Sequence, residues 1–304
     1  DKAAREELVD TLTRDALAIL LALDGQSLSP DASKATALLA TVVGQDIEAG
    51  EDGVFRIIRG VAPNRVISTV DPEARHGHKT AARSFDGYKG HIAVDAESEI
   101  ITATEVTPGN VGDASAAEAL LADVLINTAD PTPSDVNAQE SKAEVLGDAS
   151  YGTADLVEKL ESAGVVPNVK VQPPSGLAGM FSLDDFDIDV AAGTVCCPAG
   201  VRVLLHVLKD GSSSAKFRSA CAACPRLAEC TTSKSGRAIR LHPKHTTLDR
   251  HRKHQRDPEW KKHYREVRPR VERKLAHMMR RRHGGRRARV RGCERGKHDF
   301  ALLA

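Results

Sequence analysis

Apolar positions recur every three or four residues through AAREELVDTLTRDALAILLAL, within residues 2–23, and predict an amphipathic helix that Gly25 and Pro30 end. The same spacing predicts a second helix over 31–45, with Ala35, Leu38, Leu39 and Val42 on one face. EAGEDG reads as a turn, and VFRIIRGVAPNRVIST as short strands broken by Gly60 and Pro63. Over 85–107 the chain becomes β-rich: YKGHIAVD and IITATEVT pair as a hairpin across AESE. A helix is predicted from Asp113 to Val124 with Asp113 as its N-cap, followed by a polar, Pro-containing loop over 125–140. The strand AEVLGD comes next, then a helix over 153–163 capped by Thr153, then the strand VVPNVKV. The middle of the chain thus runs β-β-helix-β-helix-β, an alternation that implies a mixed sheet with helices packed on it.

In a chain of 304 residues, no apolar run approaches the roughly 18 residues of a membrane span, and no leader-like segment is visible. A soluble, cytoplasmic protein is expected. Asp1 in place of Met, and a C-terminus that stops inside an apolar run, read as the cut ends of a fragment. The net charge of +1 conceals a division. Residues 241–304 hold 21 Lys and Arg against 7 Asp and Glu, and the preceding residues hold 22 against 35. Eight of the 12 histidines also lie in the basic segment. Such a block points to a polyanion, most simply nucleic acid, with a solvated basic helix as the plain alternative.

Six cysteines in a chain this long are not a secreted disulfide framework. Cys221 and Cys224 have the spacing of a metal knuckle, and Cys197 with Cys230 completes four thiolates for one structural zinc. Either Cys196 or Cys197 could be the fourth ligand, and CPAG offers Cys197 the turn. Buried thiols without metal are the alternative.

Two acids stand out. Asp148 ends an apolar strand in VLGDASYGT, where Gly152 would let the chain turn away. Glu272 borders the helical stripe of Val267, Val271, Leu275 and Met278 in YREVRPRVERKLAHMMR, where Pro269 suits a first helical turn.

With DPEARHGHKT (71–80), DGYKGHIAVD (86–95), TPGNVGDA (107–114) and the Cys-rich segment, these motifs resemble the DDE transposases, closest to insertion-sequence transposases of the IS1182 and IS4 type. The resemblance spans roughly residues 60–290. It implies a ribonuclease-H-like fold, with the strands at about 66–70, 88–94, 100–106, 143–147 and 166–171 in one mixed sheet. It implies that Asp148 and Glu272 bind Mg²⁺ in a two-metal site, with Asp71 a weaker candidate for the same cluster. Tyr264, Arg268 and Arg280 parallel the Tyr-Arg-Glu-Lys signature of the family, with Arg280 in place of Lys and spacings that differ by one at two places. With Arg273 they are expected to hold DNA phosphates. His76, His78, Lys79 and Lys89 are further candidates to touch DNA, although each alone reads more simply as an exposed polar residue.

The family's first aspartate has no convincing match here and is expected on a strand upstream of residue 1. The expected organisation is a helical region (1–60), a catalytic core (61–190), a Cys-rich insertion (191–240) and a basic helical region completing the core (241–304). The expected function is metal-dependent cleavage and strand transfer on transposon terminal inverted repeats and target DNA, with a homodimer in the transposition complex. A nuclease of the same fold without strand transfer, and a non-catalytic zinc-containing DNA-binding remnant, are the alternatives.

Overall fold

The computed structural model describes residues 1–62, 64–80, 82–127, 143–174, 176, 179–280 and 282–304. The chain is mixed α/β. It divides into two compact units, Asp1–Leu120 with Val271–Ala304, and Leu121–Arg270.

In the first unit, α1 (Lys2–Leu23) is capped by the Asp1 carboxylate, and α2 (Pro30–Asp46) by Ser29, with Pro30 in the first position, where its missing N–H is harmless. Both helices stand where the apolar spacing puts them. A short hairpin follows, β1 (Ile47–Ala49) against β2 (Phe55–Ile57). The strand expected over 66–70 is absent. Gln45 explains why: its side chain accepts from Val66 N–H and donates to Val66 C=O, both at 2.9 Å, occupying the groups a ladder would use.

The main sheet of this unit is antiparallel, with β4 (Arg83–Val94) between β3 (Arg75–Thr80) and β5 (Ile101–Pro108). The β4–β5 pair is the expected hairpin, with Ile92 opposite Thr104. The pairing of β3 was not foreseen. Gly77 in β3 permits it, since a Cβ there would sit 2.4 Å from the Gly109 carbonyl oxygen.

The helix expected from Asp113 to Val124 is broken into a 3₁₀ turn (Asp113–Ala116), α3 (Ala117–Leu120) and, in the second unit, α4 (Ala122–Asn127). Asp113 does not cap it. Its carboxylate accepts from Lys89 Nζ at 2.8 Å, and Gly112 takes the cap position with no side chain to offer. Lys89 also donates to the Val111 carbonyl, so it serves this turn.

The second unit is built on a βαβ unit. β6 (Glu144–Gly152) and β7 (Val166–Val171) run parallel, joined by α5 (Ala154–Ser162), whose cap Thr153 accepts from Leu156 N–H as expected. Val157 and Leu160 of α5 are fully buried, as are Val169 and Val171 of β7 to within 2%. Most of the loop expected over 125–140 lies outside the described residues.

Two three-stranded antiparallel sheets follow. The first is β8 (Asp187–Asp189), β9 (Thr194–Cys196) and β10 (Arg202–Leu204), and the second β11 (His206–Val207), β12 (Ser213–Lys216) and β13 (Ala238–Leu241), with α6 (Leu227–Cys230) before β13. Phe186, Val195, Ala215, Phe217 and Ile239 form a core of their own here, so this Cys-rich segment does not depend on a metal alone for its interior.

After α7 (His245–His254), α8 (Pro258–Met278) is longer than expected. It starts at Asp257-Pro258, where the Asp257 carboxylate accepts from Glu259 and Trp260 N–H. Pro269 therefore lies in the helix interior, not in its first turn. In the first unit, Met278 joins a buried cluster with Val106 and Phe300, and α9 (Cys293–Ala301) packs on β5. The described strands form five separate sheets. Among the described residues no helix is long and apolar enough to cross a membrane.

Candidate active site

Asp148 lies just past the regular part of the β6–β7 ladder. Gly147 pairs with Val169, but the next pair is Gly152 with Val171, so residues 148–151 bulge out of β6. Gly152 does not release the chain: it rejoins the ladder, and a Cβ there would lie 2.1 Å from the Lys170 carbonyl oxygen. The bulge presents the Asp148 side chain 44% exposed. Its Oδ1 accepts from Ser150 N–H at 2.9 Å, and its Oδ2 faces Arg268 Nη2 at 3.5 Å.

The first half of α8 tracks this strand in order. Trp260 Nε1 donates to Asn168 Oδ1 on β7 at 3.0 Å, and Asn168 Nδ2 donates to Glu144 Oε2 at 2.7 Å. His263 Nε2 lies 2.7 Å from Glu144 Oε1, the Tyr264 hydroxyl donates to the Gly147 carbonyl at 3.1 Å, and Arg268 reaches Asp148. Trp260 and Tyr264 stack, ring centroids 4.9 Å apart. The structure thus brings Asp148, Tyr264 and Arg268 together. Glu272 is exposed and belongs to the first unit, in the part of α8 after Arg270.

The other predicted residues are occupied differently. Arg273 pairs with Glu99 in the β4–β5 turn at 2.5 Å. Arg280 lies beyond the end of α8, and its N–H closes a turn on the His277 carbonyl. Asp71 Oδ1 accepts from the Tyr88 hydroxyl at 2.7 Å and from Gly292 N–H at 3.2 Å, while Glu73 accepts from Cys293 N–H at 2.6 Å. The two carboxylates thereby sit at the N-terminus of α9, where negative charge is favourable. Burial, and then the bond to Asp71, push the Tyr88 phenol well above its ordinary value.

Four cysteines share one pocket of the second unit. Cys197, Cys221, Cys224 and Cys230 line a cavity of about 390 Å³, counting its open mouth, with Phe217 and Leu227 on its apolar wall. Cys196 is not part of that lining; its thiol points to the Cys197 carbonyl. Arg237 N–H donates to Cys221 Sγ at 3.4 Å, an approach that Gly236 permits because a Cβ there would sit 3.1 Å from that sulfur. Burial pushes the Cys230 thiol up, Arg237 counteracts, and the three neighbouring cysteines raise it further. Among the described residues, no three His, Cys, Asp or Glu side chains are arranged to hold a metal ion.

One feature of the second unit escaped the sequence reading, a basic cleft beside Trp260 lined by Lys170, Arg252, Arg256, Lys261 and Arg265. Its signal in the sequence is the aromatic pair Trp260 and Tyr264, four apart among cations.

Residues 196–304 match the family model of the transposase DDE domain. The matched segment contains the Cys knuckle and Glu272, while Asp148 and Asp71 lie before it. Neither a curated protein nor a solved structure matches the chain.

Proposed function

We propose that this chain, whose residues 196–304 match the transposase DDE domain, is a DDE transposase that performs metal-dependent phosphodiester cleavage and strand transfer on DNA, with Asp148 and Glu272 as its metal-binding carboxylates. The observation that carries the proposal is the register of α8 along β6. Tyr264 and Arg268 meet Gly147 and Asp148 in order, and Glu272 is the next acid on that helix. The Asp148 carboxylate suits a hard divalent cation. It is a half-exposed oxygen donor on a bulge, and among the described residues Oδ2 has a 3.5 Å ion pair and no close hydrogen bond.

Mg²⁺, held by Asp148 and Glu272, would supply charge neutralisation for phosphodiester cleavage. The protein's own groups hold the rest. Tyr264 fixes the backbone at Gly147, and Arg268 orients Asp148 and offers a guanidinium to a phosphate. Arg273 and Arg280 belong to the proposal as further phosphate contacts; Asp71, the weaker candidate for the same cluster, is given a structural role in it, because the Tyr88 hydroxyl and Gly292 N–H already converge on its Oδ1. The ribonuclease-H-like sheet, the insertion-sequence subtype, the four-region division of the chain, terminal inverted repeats as substrate and a homodimer belong to it as well. The test is Mg²⁺-dependent cleavage and joining of pre-cut transposon ends by the full-length protein. Cleavage without joining returns the nuclease reading, and DNA binding with neither returns the non-catalytic one.

The proposal includes one structural zinc on Cys197, Cys221, Cys224 and Cys230. The pocket that the four thiols share supports it. Zinc would tie together the loops that carry these four cysteines. Metal analysis of the purified protein is expected to give one zinc per chain, lost in Cys221→Ser and Cys224→Ser and kept in Cys196→Ser. Metal-free protein in which Cys221→Ser melts like the native chain overturns it.

A further inference from the structure

The basic cleft of the second unit has the features of a built anion site. It holds about 860 Å³ of empty space counting its mouth, enough for a nucleotide-sized group. Five cations line it against one acid, Asp184. At its base is Arg252, 6% exposed. Its Nε lies 3.4 Å from Asp184 and its Nη2 3.6 Å from Asp249, yet neither nitrogen has a hydrogen-bond partner among the described residues. Arg256 competes for the same acid, pairing with Asp184 through its own guanidinium. Asp184 and Asp249 thus hold the Arg252 guanidinium at ion-pair distance, and Lys170, Arg256, Lys261 and Arg265 leave the cleft with an excess of positive charge that suits an oxyanion.

The walls are fixed in advance. Gln255 holds the end of β7 by accepting from Val171 N–H and donating to Val171 C=O, both at 2.9 Å. Trp260 is pinned by its bond to Asn168 and by its stack on Tyr264. Lys261 and Arg265 lie on the same exposed helix face, four residues apart, at the rim. Tyr264 lines the cleft and also holds the carbonyl of Gly147, the residue before Asp148.

We propose that this cleft is a phosphodiester-binding subsite, with Arg252 as its buried anchor and Arg256, Lys261 and Arg265 as its rim, holding a DNA strand beside Asp148. This rests on the reading of the chain as a DNA-acting protein. The fixed guanidinium and ammonium donors suit phosphate oxygens and carry no base information, so the subsite positions DNA without selecting its sequence.

Trp260 is the only tryptophan in the chain, so its emission reports the cleft alone. Labelled duplex is titrated into the full-length protein, with fluorescence anisotropy following total binding and Trp260 emission following the cleft. The two signals are expected to saturate together. Lys261→Gln with Arg265→Gln, both exposed and harmless to the fold, is expected to weaken binding about tenfold at moderate salt. It should also reduce the slope of log affinity against log salt by about two, equally for unrelated sequences. Arg252→Gln is expected to weaken binding further, with Arg252→Lys restoring part of it. Native affinity and slope in the double variant, or saturating anisotropy with unchanged Trp260 emission, overturns the cleft alone. No anisotropy change in the native protein overturns the DNA reading and the cleft with it.

Discussion

Asp148 and Asp71 are both acids next to a β segment, one in each unit, and their surroundings differ in kind. Asp71 is enclosed by donors that belong to the fold: the Tyr88 hydroxyl and Gly292 N–H converge on a single oxygen, and Glu73 stands beside it at the start of α9. Asp148 sits on a bulge, and its close donor is the N–H of Ser150 within that bulge. Its cation, Arg268, stands off at 3.5 Å. An acid whose lone pairs are taken by the backbone of another element has a structural task. An acid displayed on a bulge, with an arginine near but not clasped, has in the proposal above an oxygen to offer a metal ion.

The largest effect that tests this contrast is on catalysis. Asp148→Ala in the full-length protein is expected to lower Mg²⁺-dependent cleavage by at least about a thousandfold, roughly 4 kcal/mol in the barrier. Its melting temperature should move little, because among the described residues the half-exposed side chain makes one local hydrogen bond and one loose ion pair. Glu272→Ala is expected to match it. Native cleavage rates in either variant remove that residue from the site.

Next in size is the reverse experiment. Asp71→Ala removes the acceptor of Tyr88 and one of the two charges at the start of α9, a loss of about 1–2 kcal/mol in stability. Cleavage per folded molecule is expected to stay within about twofold of native. Thermal melts and single-turnover cleavage measured on the same preparation separate the two effects. An Asp71 variant that melts normally but does not cleave would make Asp71 a member of the catalytic cluster and dissolve the contrast.

Much of this was legible in the sequence because it depends on local signals. The helices α1, α2 and α5 follow from apolar spacing and side-chain caps at Ser29 and Thr153, and the β4–β5 hairpin from β-rich runs about a turn. The sharing of one pocket by Cys197, Cys221, Cys224 and Cys230, rather than Cys196, agrees with the spacing and the turn after Cys197. What failed had a distant partner. Asp113 has the look of a cap, but Lys89, 24 residues earlier, claims it. Residues 66–70 have the look of a strand, but Gln45 binds the backbone of Val66. Pro269 suggests a helix start because proline is costly inside one. The stronger start, Asp257-Pro258, lies eleven residues upstream, and the contacts of Trp260, His263 and Tyr264 along β6 and β7 support the added turns. No local pattern could reveal that Arg252 is buried with unsatisfied donors, since that depends on where β7 and Asp184 fall.

The smallest effect sharpens the contrast with a third carboxylate, Glu161 on α5. Its two oxygens accept from Arg250 at 2.7 and 2.8 Å, and His251 Nε2 lies 3.0 Å away. Arg250 first, and His251 after it, hold the Glu161 carboxyl below its ordinary value against a smaller opposing effect of burial. Where Asp148 faces its arginine without a close bond, Glu161 is clasped, and its consequence is in stability. Because its folded value lies below the unfolded value of about 4.5, the ionised pair stabilises the fold in full above that pH. That contribution fades as pH falls through the folded value, when the carboxyl takes up a proton. With the side chain 30% exposed, solvent screening limits the pair to about 1 kcal/mol or less. Glu161→Gln is therefore expected to lower the melting temperature by about 2–4 °C at pH 7. The difference from the native chain should narrow steadily as the melts are repeated from pH 5 down to pH 3. A native–variant difference at Glu161 that stays constant over that range would show that Glu161 acts through packing rather than charge.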